Sequence, residues 1–289
     1  MTLDEESEDL VMKKRKKRIS ISHIFIVLIL SLGAIIMLLP FVWMVLTAFK
    51  TFPETTKLPI VWFPKEFMFD NFKKVLTTMN FGTYYKNSII VTVSITVLQL
   101  IVCSLAAYGF ARLEAPGKNV IFIIVVSMLM VPVQMTMIPS YIMLNKFGMI
   151  NTYWVLIIPQ IFSSYATFFL KQFFETLPKE LEESARIDGC SYFRCYWNIV
   201  MPLCGTAISA FLIFTVLWAW NDMLWPLIMT SSEKLRVLPV GIAAMVGQKN
   251  TKTNEMMAAS VLAILPMISL FVIFQKRFIS GVSTTGLKG

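Results

Sequence analysis

The chain has 289 residues, of which 56% are hydrophobic and only 15% charged, with a mean hydropathy of +0.69. That excludes one or two ordinary soluble domains, in which about a quarter of residues carry charge. So much apolar surface requires a bilayer as solvent. The net charge of +9 has its densest run at Lys13-Lys14-Arg15-Lys16-Lys17-Arg18, directly before a long apolar segment. A topology signal belongs there, and that placement argues against the alternative of a basic patch for nucleic acid.

After the basic tail, residues 24–49 contain no charge. They are too long for a signal-peptide core of about 7–15 residues and are expected to stay as a span. A helix needs about 20 mostly apolar residues to cross the hydrocarbon core. Six segments meet that need: residues 23–47, 88–110, 119–144, 152–170, 205–229 and 256–274. Pro132, Pro139, Pro159, Pro226 and Pro266 fall inside them, where membrane helices tolerate kinks. Lys and Arg are in modest excess on the N-terminal side, and the dense run adjoins the first span. Both termini are therefore expected in the cytoplasm. The resulting division is a tail at 1–22, a six-helix membrane domain at 23–278, and a second tail at 279–289. The loop at 50–87 is then external, and the loop at 171–204 is cytoplasmic.

The 171–204 loop breaks the apolar composition around it. Pro178 suits a first helical position, and Glu180, Glu182 and Glu183 suit the positive end of a helix. Leu177, Leu181 and Ala185 repeat every four residues and form one apolar stripe. Gly189 can take the left-handed conformation that stops a helix. Ser191 can cap a second short helix carrying Tyr192, Phe193, Tyr196 and Trp197, aromatics that fit a membrane interface. The expected product is a helix–turn–helix with its carboxylates facing the cytoplasm. The plain alternative is an amphipathic connector with no partner.

The stretch resembles the cytoplasmic "EAA" loop of ATP-binding-cassette (ABC) importer permeases. It reads Glu183-Ser184-Ala185, then Asp188-Gly189, nine residues, then Ile199 and Met201-Pro202. Ser184 replaces an alanine of that pattern and Met201 a leucine. Further elements extend the resemblance: Asn87-Ser88, residues 106–112, Met130-Val131-Pro132, Ile138-Pro139, Trp220-Asn221-Asp222, Pro226-Leu227 and the ending Gly286-Leu287-Lys288-Gly289. Together they are similar to the sugar-uptake branch, of the maltose-permease MalG type.

The resemblance implies an all-α membrane protein, a type I ABC importer permease core of six transmembrane helices with a cytoplasmic helix-turn-helix coupling loop. It implies a bacterial cell-membrane location, and as partners a second homologous permease, two cytoplasmic ABC ATPase subunits and an extracytoplasmic solute-binding protein. The cargo it implies is a sugar or oligosaccharide. Glu183, Ser184, Ala185, Asp188, Gly189, Ile199 and Pro202 are then the ATPase-coupling interface, with Glu183 the charge contact. Lys288 and Gly289 form a tail reaching the ATPases. ATP and magnesium belong to those partners. The chain itself has no phosphate loop, since Gly281-x-x-x-x-Gly286 is followed by Leu287. It has one histidine and no Cys-x-x-Cys pair, so neither a hydrolase triad nor a zinc or other metal site is expected.

Trp220, Asn221 and Asp222 admit two readings. At about 1.5 Å per residue from Gly205, Asp222 lies about 25 Å into the fifth segment, near its outer edge. There it either joins a helix-end network or lines the translocation path. Gln99 and Gln134 are weaker cases of the same kind. Another cargo (peptides, amino acids or polyamines) and an autonomous secondary transporter remain alternatives. Against the latter stand the missing midplane carboxylates and inverted repeat.

Overall fold

The computed structural model describes residues 21–78, 80–246 and 252–285. The basic run at 13–18, Lys288 and Gly289 lie outside them. Among the described residues the chain is helical, without strands. Four helices are long and apolar enough to span a bilayer: Ile24–Ala48, Phe81–Arg112, Tyr153–Thr176 and Thr253–Gln275. Two bent pairs bring the number to six if each is one span.

The third segment bends far more sharply than a kink, and the fifth stops short of its expected end at residue 229. The third is two helices, Lys118–Met130 and Val133–Lys146, meeting at 103°. Pro132 explains the break. A residue before proline is driven out of the α region, and Val131 is extended, at φ −89° and ψ 115°. The fifth begins as Gly205–Asn221, set at 81° to the preceding Tyr192–Leu203. It ends at Asp222, with φ −67° and ψ 115°, and the remainder is the separate short helix Leu224–Met229. The second segment, by contrast, outruns the expected 88–110. Its polar first turn joins it, giving 32 continuous residues from Phe81 to Arg112, or about 48 Å of helix.

The second span is the axis of the packing. On one half it meets the fourth and fifth spans and the Tyr192–Leu203 helix through Cys103, Ala107, Tyr108, Leu170, Phe174, Tyr196, Val200 and Phe211. Its other half packs against Leu156, Trp225, Met229 and Val240. Its first turns also join Ala48, Val75, Leu238 and Ala258. The first helix differs. Leu30 is 67% and Met37 75% exposed, and it lies chiefly against the last helix. An apolar helix with no buried face is lipid-facing or partner-facing. Near its end, the fully buried Lys50 sets its ammonium 3.8 Å from the Trp43 ring centroid. Asn71 donates to the Ala48 and Lys50 carbonyls, and Asn254 of the last helix donates to Lys50 and Asn71.

Candidate functional site

The acidic helix runs from Glu180 to Ile187, so Pro178 sits two residues ahead of it rather than at its first position. Glu180, Glu182 and Glu183 occupy the first turn, where the unpaired backbone N–H groups favour negative charge. The helix ends as its residues require. The Gly189 N–H donates to Arg186 and the Cys190 N–H to Ala185 (3.0 and 2.9 Å). This is the paired closure of a Schellman turn, whose pivot needs a left-handed residue. Gly189 has φ +84°. Ser191 then caps the next helix, its Oγ accepting from the Arg194 N–H at 3.3 Å. Arg186 lies 4.2 Å from the Tyr192 ring centroid and braces the turn. The second helix continues through a wide π turn at Tyr196–Val200 to Leu203.

The orientation of the acidic helix corrects the sequence reading. Leu181 is 46% exposed, whereas Glu182 is buried. The face turned inward therefore carries the Glu182 carboxylate, while of the expected stripe Leu177 and Ala185 are half-buried and Leu181 is turned out. Glu182 Oε1 lies 2.7 Å from Arg112 Nε, with both side chains almost fully enclosed. Its Oε2 accepts from the Tyr108 hydroxyl at 2.8 Å. Arg112 also donates through Nη2 to the Leu177 carbonyl at 2.8 Å. Tyr108 packs on Tyr196, and the Tyr196 hydroxyl is 2.7 Å from Ser104 Oγ. Burying a charge is costly unless it is paired and hydrogen-bonded; here the pairing fixes the helix to the inner end of the second span. Sequence reasoning missed this clasp. Its only sequence signal is an arginine closing an apolar span near three glutamates, and spacing does not reveal which glutamate turns inward.

The opposite face of the element is open. Glu183, Ser184, Asp188 and Gly189 are exposed, Ala185 and Ile199 are half-buried, and Pro202 is exposed in the last turn before the bend. Ile187 is 87% exposed, and Phe193 and Trp197 are exposed on the second helix. The structure thus gathers Glu183, Ser184, Ala185, Asp188 and Gly189 on one short helix and its turn. Ile199 and Pro202 lie further along the second helix.

Trp220, Asn221 and Asp222 occupy the fifth-span break. Trp220 is buried and donates from Nε1 to the Ala263 carbonyl of the last helix at 3.1 Å. Asn221 donates back to Leu217. Asp222 Oδ1 accepts from the Trp225 N–H at 3.3 Å, so it tethers the start of the short helix after the break. It also lines a small cavity with Ser88, Thr92 and Trp225. Gln99 is satisfied between spans, donating to the Gln160 carbonyl and accepting from Thr215; Gln134 is exposed. No cluster of three metal-ligating side chains occurs among the described residues.

The opposite end of the second span holds a segment too. Asn87 donates to the carbonyls of Lys234 and Arg236, both at 2.9 Å. Ser88 Oγ accepts from the Leu238 N–H at 2.7 Å. Glu233 accepts from the Tyr84 hydroxyl and from Asn80, which hold its carboxyl below the usual range. Asn151, at φ 60°, accepts from the Ser231 and Ser232 N–H groups.

Residues 99–284 match the model of the family described as binding-protein-dependent transport system inner membrane component. The chain belongs to this family. Among relatives of this permease is the arabinooligosaccharides transport system permease protein AraQ of Bacillus subtilis, 34% identical over 96% of this chain and all of that protein. Its counterpart in Halalkalibacterium halodurans is 33% identical over 89% of this chain and 93% of the relative. The sn-glycerol-3-phosphate permease protein UgpE of Yersinia enterocolitica is 30% identical over 90% and 95%. A crystal structure of a bacterial ABC transporter importing the polysaccharide alginate shares the fold, with a TM-score of 0.82 over 91% of this permease and 98% of that chain, at 21% identity. The protein is thus a multi-pass membrane permease that works with a binding protein and is itself non-catalytic.

Proposed function

We propose that this permease forms half of the translocation pathway of an ATP-driven importer for a sugar or oligosaccharide. A second homologous permease supplies the other half. Two cytoplasmic ATPase subunits drive the cycle, and an extracytoplasmic binding protein delivers the cargo. The domain at 23–278 spans the membrane with tails 1–22 and 279–289 in the cytoplasm, which places the 171–204 element on the ATPase side. The observation that carries this reading is the helix–turn–helix at residues 180–203. One face is clasped to the second span, and the other presents Glu183, Ser184, Asp188 and Gly189 to a partner. Closure of an ATPase pair moves such a docked helix as a rigid body, and differential contact in the two states shifts the access equilibrium. Glu183 is the contact to a basic groove, Gly189 allows close approach, and Lys288 and Gly289 extend into the crevice between the ATPases. The sugar cargo is supported by the arabinooligosaccharide relatives.

The test is uptake into proteoliposomes holding the full complex. The panel contains arabinooligosaccharides, other oligosaccharides, sn-glycerol 3-phosphate and short peptides. ATP-dependent accumulation of an oligosaccharide supports the reading. Accumulation of peptides alone, or transport without the ATPases, overturns it.

A further inference from the structure

The acidic helix is covalently joined to the fourth and fifth spans, yet its buried ion pair is with the second. That asymmetry matters because neither covalent neighbour is a uniform helix. The fourth passes through a 3-10 turn at Ile158–Gln160. The fifth enters through an 81° bend and stops at Asn221. The second span runs unbroken from Phe81 to Arg112, about 48 Å at the helical rise and longer than the roughly 30 Å hydrocarbon core. Its inner end carries Arg112 and Tyr108, bonded to Glu182. Its other end carries Asn87 and Ser88, bonded to backbone groups of Lys234, Arg236 and Leu238.

We propose that the second span is the transmission rod of this permease, with Glu182, Arg112 and Tyr108 coupling the acidic helix to one end of it and Asn87 and Ser88 coupling the 231–238 segment to the other. Moving the acidic helix without the rod would leave the guanidinium of Arg112 unpaired in an enclosed site, which is strongly unfavourable. The rod therefore follows. At the far end, the donated bonds from Asn87 point at main-chain carbonyls and the Ser88 oxygen receives a main-chain N–H. The attached segment is thus held through its backbone as well as through the Glu233 side chain, which accepts from Tyr84. These five are positioning residues: none need touch cargo or nucleotide. The proposal rests on the reading of the 180–203 element as the ATPase contact.

The experiment uses the complete reconstituted transporter. A reactive thiol is introduced by Ser231→Cys, an exposed position on the far segment, in a Cys190→Ser background because the other three cysteines are buried. The readout is the maleimide labelling rate with and without ATP, alongside sugar uptake. The expected native response is a change of about fivefold or more, the lower end of coupling between distant sites. Glu182→Gln is expected to abolish the response while the complex still co-purifies. The exchange Glu182→Arg with Arg112→Glu restores it. Asn87→Ala with Ser88→Ala abolishes it with the inner clasp intact. A response that survives either the Glu182 variant or the Asn87/Ser88 variant overturns the proposal, as does a native complex whose labelling ignores ATP. Labelling does not depend on cargo. An ATP response without sugar uptake would therefore defeat the cargo assignment and leave the rod standing.

Discussion

Gly241 makes a sharp demand on the packing at the far end of the second span. It lies in the helix Leu238–Val246, against the ring of Tyr84. A Cβ placed there would sit 2.8 Å from Tyr84 Cε2 and 3.1 Å from Cγ, and closer still to Cδ2. Carbon atoms are comfortable at about 3.5–4.0 Å. The ring cannot easily swing away, because Tyr84 is buried and its hydroxyl is held at 2.7 Å by Glu233. Overpacking of this kind costs about 1–3 kcal/mol, and an overlap with a pinned ring belongs at the upper end. Against it, alanine is favoured over glycine inside a helix by about 1 kcal/mol. Gly241→Ala is therefore expected to destabilise the permease by about 2 kcal/mol, read as a lower unfolding midpoint in lipid nanodiscs. In a Tyr84→Leu background the ring is gone and only the propensity gain remains, so the same substitution becomes neutral or stabilising. Unchanged or increased stability of Gly241→Ala alone would refute the close packing, and equal losses in both backgrounds would refute its assignment to Tyr84.

Gly189→Val puts a β-branched residue at φ +84°, a conformation costing about 1–2 kcal/mol even for ordinary L-residues. Uptake should be lost while the protein stays membrane-inserted, and full transport would make the turn dispensable. Glu183→Lys reverses an exposed charge without touching the clasp, so ATP hydrolysis should continue with less sugar moved per ATP. Deleting Leu287 to Gly289 should lower transport-coupled hydrolysis in an assembled complex, and unchanged hydrolysis and uptake would remove the tail from the coupling machinery. The depressed carboxyl of Glu233 has a defined sign: its bonds from Tyr84 and Asn80 stabilise the 231–236 segment fully above the unfolded carboxylate value, about 4.3. That stability is lost as pH falls through the lower folded value. Amide protection in this segment, corrected for the intrinsic pH dependence of exchange, should fall over that window in the native chain, with a smaller pH response in Tyr84→Phe.

The parts of the site that were legible are those set by neighbours in the chain. Gly189 stops one helix and Ser191 starts the next because each acts on backbone groups within a few residues. The apolar segments were legible for the same reason, since length and composition decide what a bilayer accepts. What failed depended on contacts across the fold. Helical periodicity placed Leu181 inward, but an enclosed Arg112 requires a carboxylate, and that need outweighed the apolar stripe. Asp222 was legible as lying near the outer edge of a span, in a helix-end network or on the path; the break beside it was not. It is extended at the break and tethers the next helix by a local bond. Pro132 was legible as a kink site, but the 103° angle depends on what the two halves pack against.

The first helix has a different kind of consequence. Its window of greatest hydropathy has no buried share. A component attached along one seam is modular: its outward residues answer to lipid chemistry, while its register is set where it adjoins the last helix and at the Lys50–Asn71–Asn254 knot. Replacing the lipid-facing side chains of Ile24–Ala48 with other apolar ones of similar bulk should therefore be silent, whereas a single change at Asn71 would loosen the fastening of the first helix at Ala48 and Lys50. Natural drift in this subunit has a free surface and a fixed hinge pin, and the free surface is where membranes of different thickness would leave their mark.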